Sequence, residues 1–332
     1  MRAEGAHLSR ITEPEDLVHA VPGVVFRATP LSAGPFEVSL TTIGLGDITL
    51  QAGHSTPHLA FAVARPGMAV VQLPLENVDT LVLNGRAVRP WTVGLHGGGA
   101  ELLRANPRES GHANLVLPMD RAEELLWLPS GSTLVRPGAQ DLLQTRPEAW
   151  NRMAGIVHAA NEAVVSDSQA FNLEQAHRAL RDALLDAAHD LIVGAGVGGN
   201  AVRSQNPRAW RRVITTADEY LRAHVARPIY TEELCSALGV SASGLAQAFR
   251  GTFGLSPHRF LKLRRLAMVR SLLRAREGQS PLVKSVALAH GFWHLGQFAH
   301  DYRALYGETP SDTLARAPGG DRGRGRPPRM RG

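Results

Sequence analysis

The chain has a single cysteine, Cys235, in 332 residues, so no intrachain disulfide is available. It has no run of 18 or more apolar residues from which to build a membrane span. Met1 to Asp16 carry charges where a secretory leader needs its apolar stretch. These absences predict a cytoplasmic protein with no membrane partner. Also missing are a G-x-S-x-G nucleophile turn, a phosphate-binding P-loop and paired-cysteine zinc spacings, which argues against an enzyme. Lysine is absent from residues 1–199, whose 14 arginines face 21 carboxylates for a net −7.

The remaining third has the opposite charge balance. Residues 200–332 hold 22 basic side chains against nine acidic ones, a net +13. An acidic first part joined to a strongly basic last part predicts that a polyanion, nucleic acid first, binds the C-terminal side. With 44% apolar and 20% charged residues the chain can build real cores, and its length suits about two domains.

Residues 24–117 read as seven short strands broken by Gly and Pro: 36–40, 46–51, 59–63, 68–73, 80–83, 92–95 and 113–117. This spacing predicts a sandwich or barrel. Helices follow: Asp120 can cap one to Trp127, Pro147 can open another to Val165, and Asn172 can cap a third to Ile192. In the third, Leu173, Ala176, Leu180, Leu184, Ala187 and Leu191 form a stripe, either a core face or a dimer seam. The expected division is a sensing and dimerisation domain over 1–193, a linker over 194–208, a helical domain over 209–316 and a disordered arginine-rich tail over 317–332. Gly194 to Gly199 fit the dinucleotide pattern G-x-G-x-x-G, with Asp218 near the ribose-binding place. A helical stripe precedes them where a strand is required, so a linker is the better reading.

The segment from Thr231 to Gly254 has the layout of a helix-turn-helix. Thr231 is a candidate N-cap, Gly239 supplies the turn, Val240 packs beneath it, and Ser241 caps a second helix with Leu245, Phe249 and Phe253 on one face. Cys235, on the inner side of the short helix, reads as a core residue. The layout returns over 285–314. Gly239 matches Gly291 and Val240 matches Phe292; one residue later in register, Leu245, Phe249, Arg250, Phe253, Gly254 and Pro257 match Phe298, Tyr302, Arg303, Tyr306, Gly307 and Pro310. A helix from Pro257 to Arg276, about 30 Å long, would join the units and suits adjacent major-groove segments about 34 Å apart. It would bury Phe260, Leu261, Leu266 and Val269 and leave Arg259, Lys262, Arg264, Arg265 and Arg270 as a basic surface. Trp293 is expected to cap the second unit's small core.

These residues resemble the AraC/XylS family of transcription regulators. The signature runs through the G-V-S turn at 239–241, Phe249-Arg250, Gly254 with Ser256-Pro257, Arg264-Arg265-Leu266, Gly291-Phe292 and Gly307 with Pro310. The resemblance implies an α+β chain with two halves. A β-rich half with helices would sense a small-molecule effector and dimerise, and an all-α half of two helix-turn-helix units on a long helix would bind double-stranded DNA. It also implies contact with RNA polymerase on activation. The family's base-contacting positions fall on Ser243, Ala246 and Gln247, and in the second unit on Gly296, Gln297 and His300. Gln247 can pair with adenine, Ser243 can contact several bases, and Ala246 can meet a thymine methyl. Arg250 and Arg303, with Lys262 and Arg265, are the candidate phosphate contacts, which position without specifying. Gly296 inside a helix would cost about 1 kcal/mol relative to Ala.

His54, His58, His96 and His112 lie in the β-rich part, but the H-x-H pair and following glutamate of a cupin-type metal site are lacking. They are read as scattered surface histidines, with no metal or cofactor expected. The competing classes are a metal-dependent β-barrel enzyme fused to a DNA-binding domain and a ligand-independent architectural DNA-binding protein.

Overall fold

A computed structural model describes residues 5–21, 23–32, 34–125, 135–167, 171, 173–196, 207–224, 227, 229–275 and 282–316. The architecture is α+β, as expected. Twelve strands are described: β1 (Gly5–Ile11), β2 (Val24–Pro30), β3 (Val38–Leu45), β4 (Ile48–Ser55), β5 (His58–Ala64), β6 (Met68–Pro74), β7 (Val82–Leu83), β8 (Arg86–Ala87), β9 (Thr92–His96), β10 (Glu101–Asn106), β11 (Ser110–Pro118) and β12 (Gln140–Gln144). They form a seven-stranded sheet ordered β1-β3-β4-β11-β6-β9-β12 and a five-stranded sheet ordered β2-β5-β10-β7-β8. Every described strand pair is antiparallel. The seven strands expected from the sequence are thus supplemented by β1, β2, β8, β10 and β12, where Arg10, Arg27, Arg86, Arg104 and Asp141 interrupt the apolar pattern.

Period-two alternation stacks four layers. In β11, Ala113, Leu115 and Leu117 join the core beneath α1 (Met119–Leu125), α2 (Pro147–Ser166) and α3 (Glu174–Gly196), while His112, Asn114 and Val116 point between the sheets. In β10, Leu102 and Arg104 face the space between the sheets, and Leu103 and Ala105 face the opposite way, into the C-terminal helices. The stripe on α3 is a core face where it is buried: Leu184, Ala187 and Leu191 pack against the large sheet and α2. Leu173, one residue before α3, is exposed. The expected cap Asn172, the linker residues 197–206 and the tail 317–332 lie outside the described residues.

The C-terminal helices are α4 (Pro207–Ala223), α5 (Thr231–Leu238), α6 (Ala242–Phe253), α7 (Pro257–Ala275), α8 (Val283–Ala289), α9 (Leu295–Tyr306) and α10 (Pro310–Arg316). Their core takes in Leu59, Leu103 and Ala105 of the small sheet, so the two halves share one apolar interior. Phe61 of β5 meets Phe253 and Phe260 at ring separations of 5.7 and 6.2 Å. Gly251 lets α4 come close: a Cβ there would fall 2.1 Å from the Trp210 ring.

Ion pairs rim this interface. Asp218 of α4, 2% exposed, is held by Arg27 of β2 at 3.0 Å and by Arg264 of α7 at 2.5 Å. That is a structural role for the carboxylate the dinucleotide pattern brought into question. Arg270 of α7 pairs with Glu13, with Glu15 at 3.0 Å and with Glu308 at 3.6 Å, and Arg274 reaches Glu13 and Glu15 at 2.9 Å each.

Candidate nucleic-acid interface

Both helix-turn-helix units are built on the same local rules. α5 ends at Gly239 (φ 64°) and α6 at Gly254 (φ 69°), left-handed positions where a side chain would be strained. Their counterparts Gly291 (φ 76°) and Gly307 (φ 73°) adopt the same conformation. Ser241 caps α6, its Oγ accepting from Gly244 N at 3.1 Å. Thr231, by contrast, is the first residue of α5, and Tyr230 occupies the cap without a side-chain hydrogen bond. The extended backbone of Tyr230 shifts the helix start by one residue. Glu233 fixes the α4–α5 corner, accepting from Tyr220 Oη at 2.7 Å and from Arg227 Nη1 at 2.8 Å. Those bonds hold its carboxyl down at about 2.

Leu245, Ala248, Phe249 and Phe253 are buried, leaving Ser243, Gln247 and Arg250 exposed and Ala246 half-buried on the outer side of α6. In α9, Phe298, Tyr302, Leu305 and Tyr306 are buried, and Gly296, Gln297, His300 and Arg303 are exposed. All six candidate base-reading positions therefore lie away from the cores. Gly296 is the second residue of α9, so its cost as an interior helix glycine does not apply in full. Gln297 Nε2 donates to Asp301 Oδ1 at 3.0 Å, an internal bond Gln247 lacks among the described residues. α7, with 19 residues, is about 28 Å long, close to one turn of B-DNA.

The basic surface expected on α7 is largely spent within the protein. Lys262 pairs with Asp301 at 2.6 Å, and Arg265 lies over the Phe292 ring at 5.2 Å. Arg270 is buried against Glu13, Glu15 and Glu308, and Arg264, partly buried, is held by Asp218, so neither belongs to such a surface. Arg259 stays exposed. Trp293 does not cap the second core: it is 68% exposed, and Phe292 fills that place. Cys235 packs partly buried against the core.

Three of the histidines are not on the surface. His58, His96 and His112 line a cavity between the sheets with Arg104, Gln72 and Asn114, and only His54 stays outside, 3.2 Å from Glu76. Strand register brings them together, setting His96 opposite Val70 and Gln72 opposite Asn114. His58 Nδ1 donates to the Thr56 carbonyl at 2.8 Å, and His96 Nε2 lies 3.3 Å from Gln72 Oε1. Burial lowers His58 and His96 to about 4 each, with the charge of Arg104 adding to the effect at His58. Burial, Arg104 and the other histidines hold His112 well below its ordinary value. Among the described residues no three His, Cys, Asp or Glu side chains converge as metal ligands do, and no helix is long and apolar enough to cross a membrane.

A family model described as "Helix-turn-helix domain" matches residues 234–316. The XylDLEGF operon transcriptional activator of Pseudomonas putida is 32% identical over 123 residues, 37% of this chain and 37% of that protein. The probable thc operon regulatory protein of Rhodococcus erythropolis is 32% identical over 106 residues, 32% of each. The chain thus spans about a third of the length of these curated relatives. Among solved structures, a probable AraC family transcriptional regulator from Rhodopseudomonas palustris is 40% identical, covering 32% of this chain and 97% of that one, with a TM-score of 0.30.

Proposed function

We propose, from the premise that this chain belongs through its C-terminal helices to the AraC/XylS family, that it is a cytoplasmic, sequence-specific regulator of transcription. In this reading residues 209–316 bind double-stranded DNA, residues 1–193 receive a small-molecule effector and dimerise, and the activating form meets RNA polymerase. One observation carries the reading: the unit is built twice on one connecting helix, with left-handed glycines at matching places and the buried aromatics Phe249 and Phe253 matched by Tyr302 and Tyr306. The curated relatives matched are named as an operon regulatory protein and a transcriptional activator.

Ser243, Ala246 and Gln247 read bases in the first unit, and Gly296, Gln297 and His300 lie at the second. Arg250 and Arg303 contact phosphates, joined by Lys262 and Arg265 once these leave their present partners. Since Leu184, Ala187 and Leu191 are committed to the core, dimerisation through the helix in 172–192 uses its remaining face. An effector changes output by binding one arrangement of the halves better than another.

Footprinting over genomic DNA tests the reading. A discrete protected site is expected, and Gln247→Ala relaxes preference at one or two base pairs by about 1–3 kcal/mol. Absence of any preferred site overturns sequence-specific regulation. A uniform loss on every sequence removes Gln247 as a reader.

A further inference from the structure

The cavity between the sheets holds a buried cation with neutral surroundings. Arg104 is 2% exposed. Its Nε donates to Asn106 Oδ1 at 2.7 Å and its Nη2 to Ser110 Oγ at 3.1 Å, both neutral partners. No carboxylate pairs with it among the described residues. The imidazoles near it, His58 and His112, are kept neutral by burial and by Arg104 itself. A guanidinium withdrawn from water without an anion is strongly unfavourable alone, and burial lowers Arg104 only to about 10, so it remains charged at neutral pH.

Three other polar atoms there lack partners: His58 Nε2, His96 Nδ1 and His112 Nδ1. Because His58 donates through Nδ1, its Nε2 is a bare acceptor. The rest of the wall is apolar, with Val24, Phe26, Val38 and Leu40. The space among them is about 50 Å³, roughly a third of a cavity that holds benzene, so it takes a molecule of only a few heavy atoms. A larger cavity of about 670 Å³ lies between the halves, but both its arginines, Arg27 and Arg264, already hold Asp218.

We propose that the cavity between the sheets binds a short-chain monocarboxylate of about two or three carbons, its carboxylate on Arg104 and its alkyl end against the Val24, Phe26 and Leu40 wall. This deepens, and rests on, the reading of the N-terminal half as an effector sensor. One cation and three neutral imidazoles match a single negative charge. A phosphate dianion finds too little positive charge there, and a neutral polyol leaves Arg104 uncompensated. A hydroxyl on the body would satisfy an imidazole nitrogen. The site has a short route outward, since Leu103 and Ala105, the neighbours of Arg104 on β10, point into the core of the first helix-turn-helix unit.

Calorimetry on the full chain tests this, with acetate, propionate and glycolate set against the corresponding amides. Saturable one-to-one binding of at least one acid, its amide at least about thirtyfold weaker, is expected, the size of removing a buried charge partner. Arg104→Met abolishes the preference while DNA affinity is retained, and Arg104→Lys preserves part of it. The wild-type comparison decides even where a variant fails to fold. Amides bound as well as acids overturn the carboxylate assignment and leave the effector reading standing. Binding of neither series overturns the assignment; the sensor reading falls separately, only if cell metabolite extract also leaves DNA binding unchanged.

Discussion

Buried arginines are treated in opposite ways in two regions of the molecule. At the seam between the halves, Arg270 is surrounded by Glu13, Glu15 and Glu308, and Asp218 by Arg27 and Arg264. Between the sheets, Arg104 has an amide and a hydroxyl and no described anion. At the seam each buried charge meets the opposite one. The cavity is electrostatically incomplete, which is the condition for selecting a charged guest.

The sharpest way to break this contrast is to remove each arginine. Arg270→Met leaves clustered carboxylates against the second unit and should cost about 3–5 kcal/mol in denaturant unfolding. Arg104→Met removes an uncompensated charge and should raise stability, by about 1–4 kcal/mol. Similar losses from the two would erase the distinction.

Acid should act mainly on the cavity. His58 and His96 have folded values of about 4 against an ordinary 6.5, so the unfolded chain binds protons first as pH falls. Their stabilisation is therefore full above about pH 6.5 and lost progressively toward pH 4, at about 1.4 kcal/mol per pH unit for each histidine. Melting temperatures measured across this range should fall. A folded His58→Gln, His96→Gln double variant should show a flatter decline; an unchanged slope would place the titration elsewhere.

The smallest effect concerns the second unit, where Asp301 holds Lys262 and Gln297. Asp301→Asn should release Lys262 and steepen the plot of log DNA affinity against log salt by about 0.9, the share of one added phosphate contact. An identical slope would remove Lys262 from the interface.

The helix-turn-helix units were legible because their signals are local. Gly239, Gly254, Gly291 and Gly307 each mark a left-handed turn, and the three- and four-residue steps from Leu245 to Phe253 and from Phe298 to Tyr306 mark buried faces. The cavity was not legible. In β10 and β11, Arg104 and His112 alternate with apolar neighbours, a pattern that ordinarily means a solvent-facing side, and only a second sheet turns that side into an interior. The basic face of α7 was overestimated for a related reason: the partners of Arg264 and Arg270 come from distant parts of the chain. The shared core was invisible too, because Leu59, Leu103 and Ala105 read as ordinary strand residues until the helices are laid over them.

The seam also has a history within each molecule's synthesis. Glu13 and Arg270 are 257 residues apart in sequence. At about 5–20 residues per second, Glu13 is made some 10–50 seconds before its partner. For the part of that interval between Leu103 and Pro207, where α4 begins, the outer face of the small sheet, with Leu59, Phe61 and Leu103, has been made and its helices have not. A ribosome that stops early releases a sheet with one bare apolar face, so the last-made helices decide whether the first-made strands stay soluble.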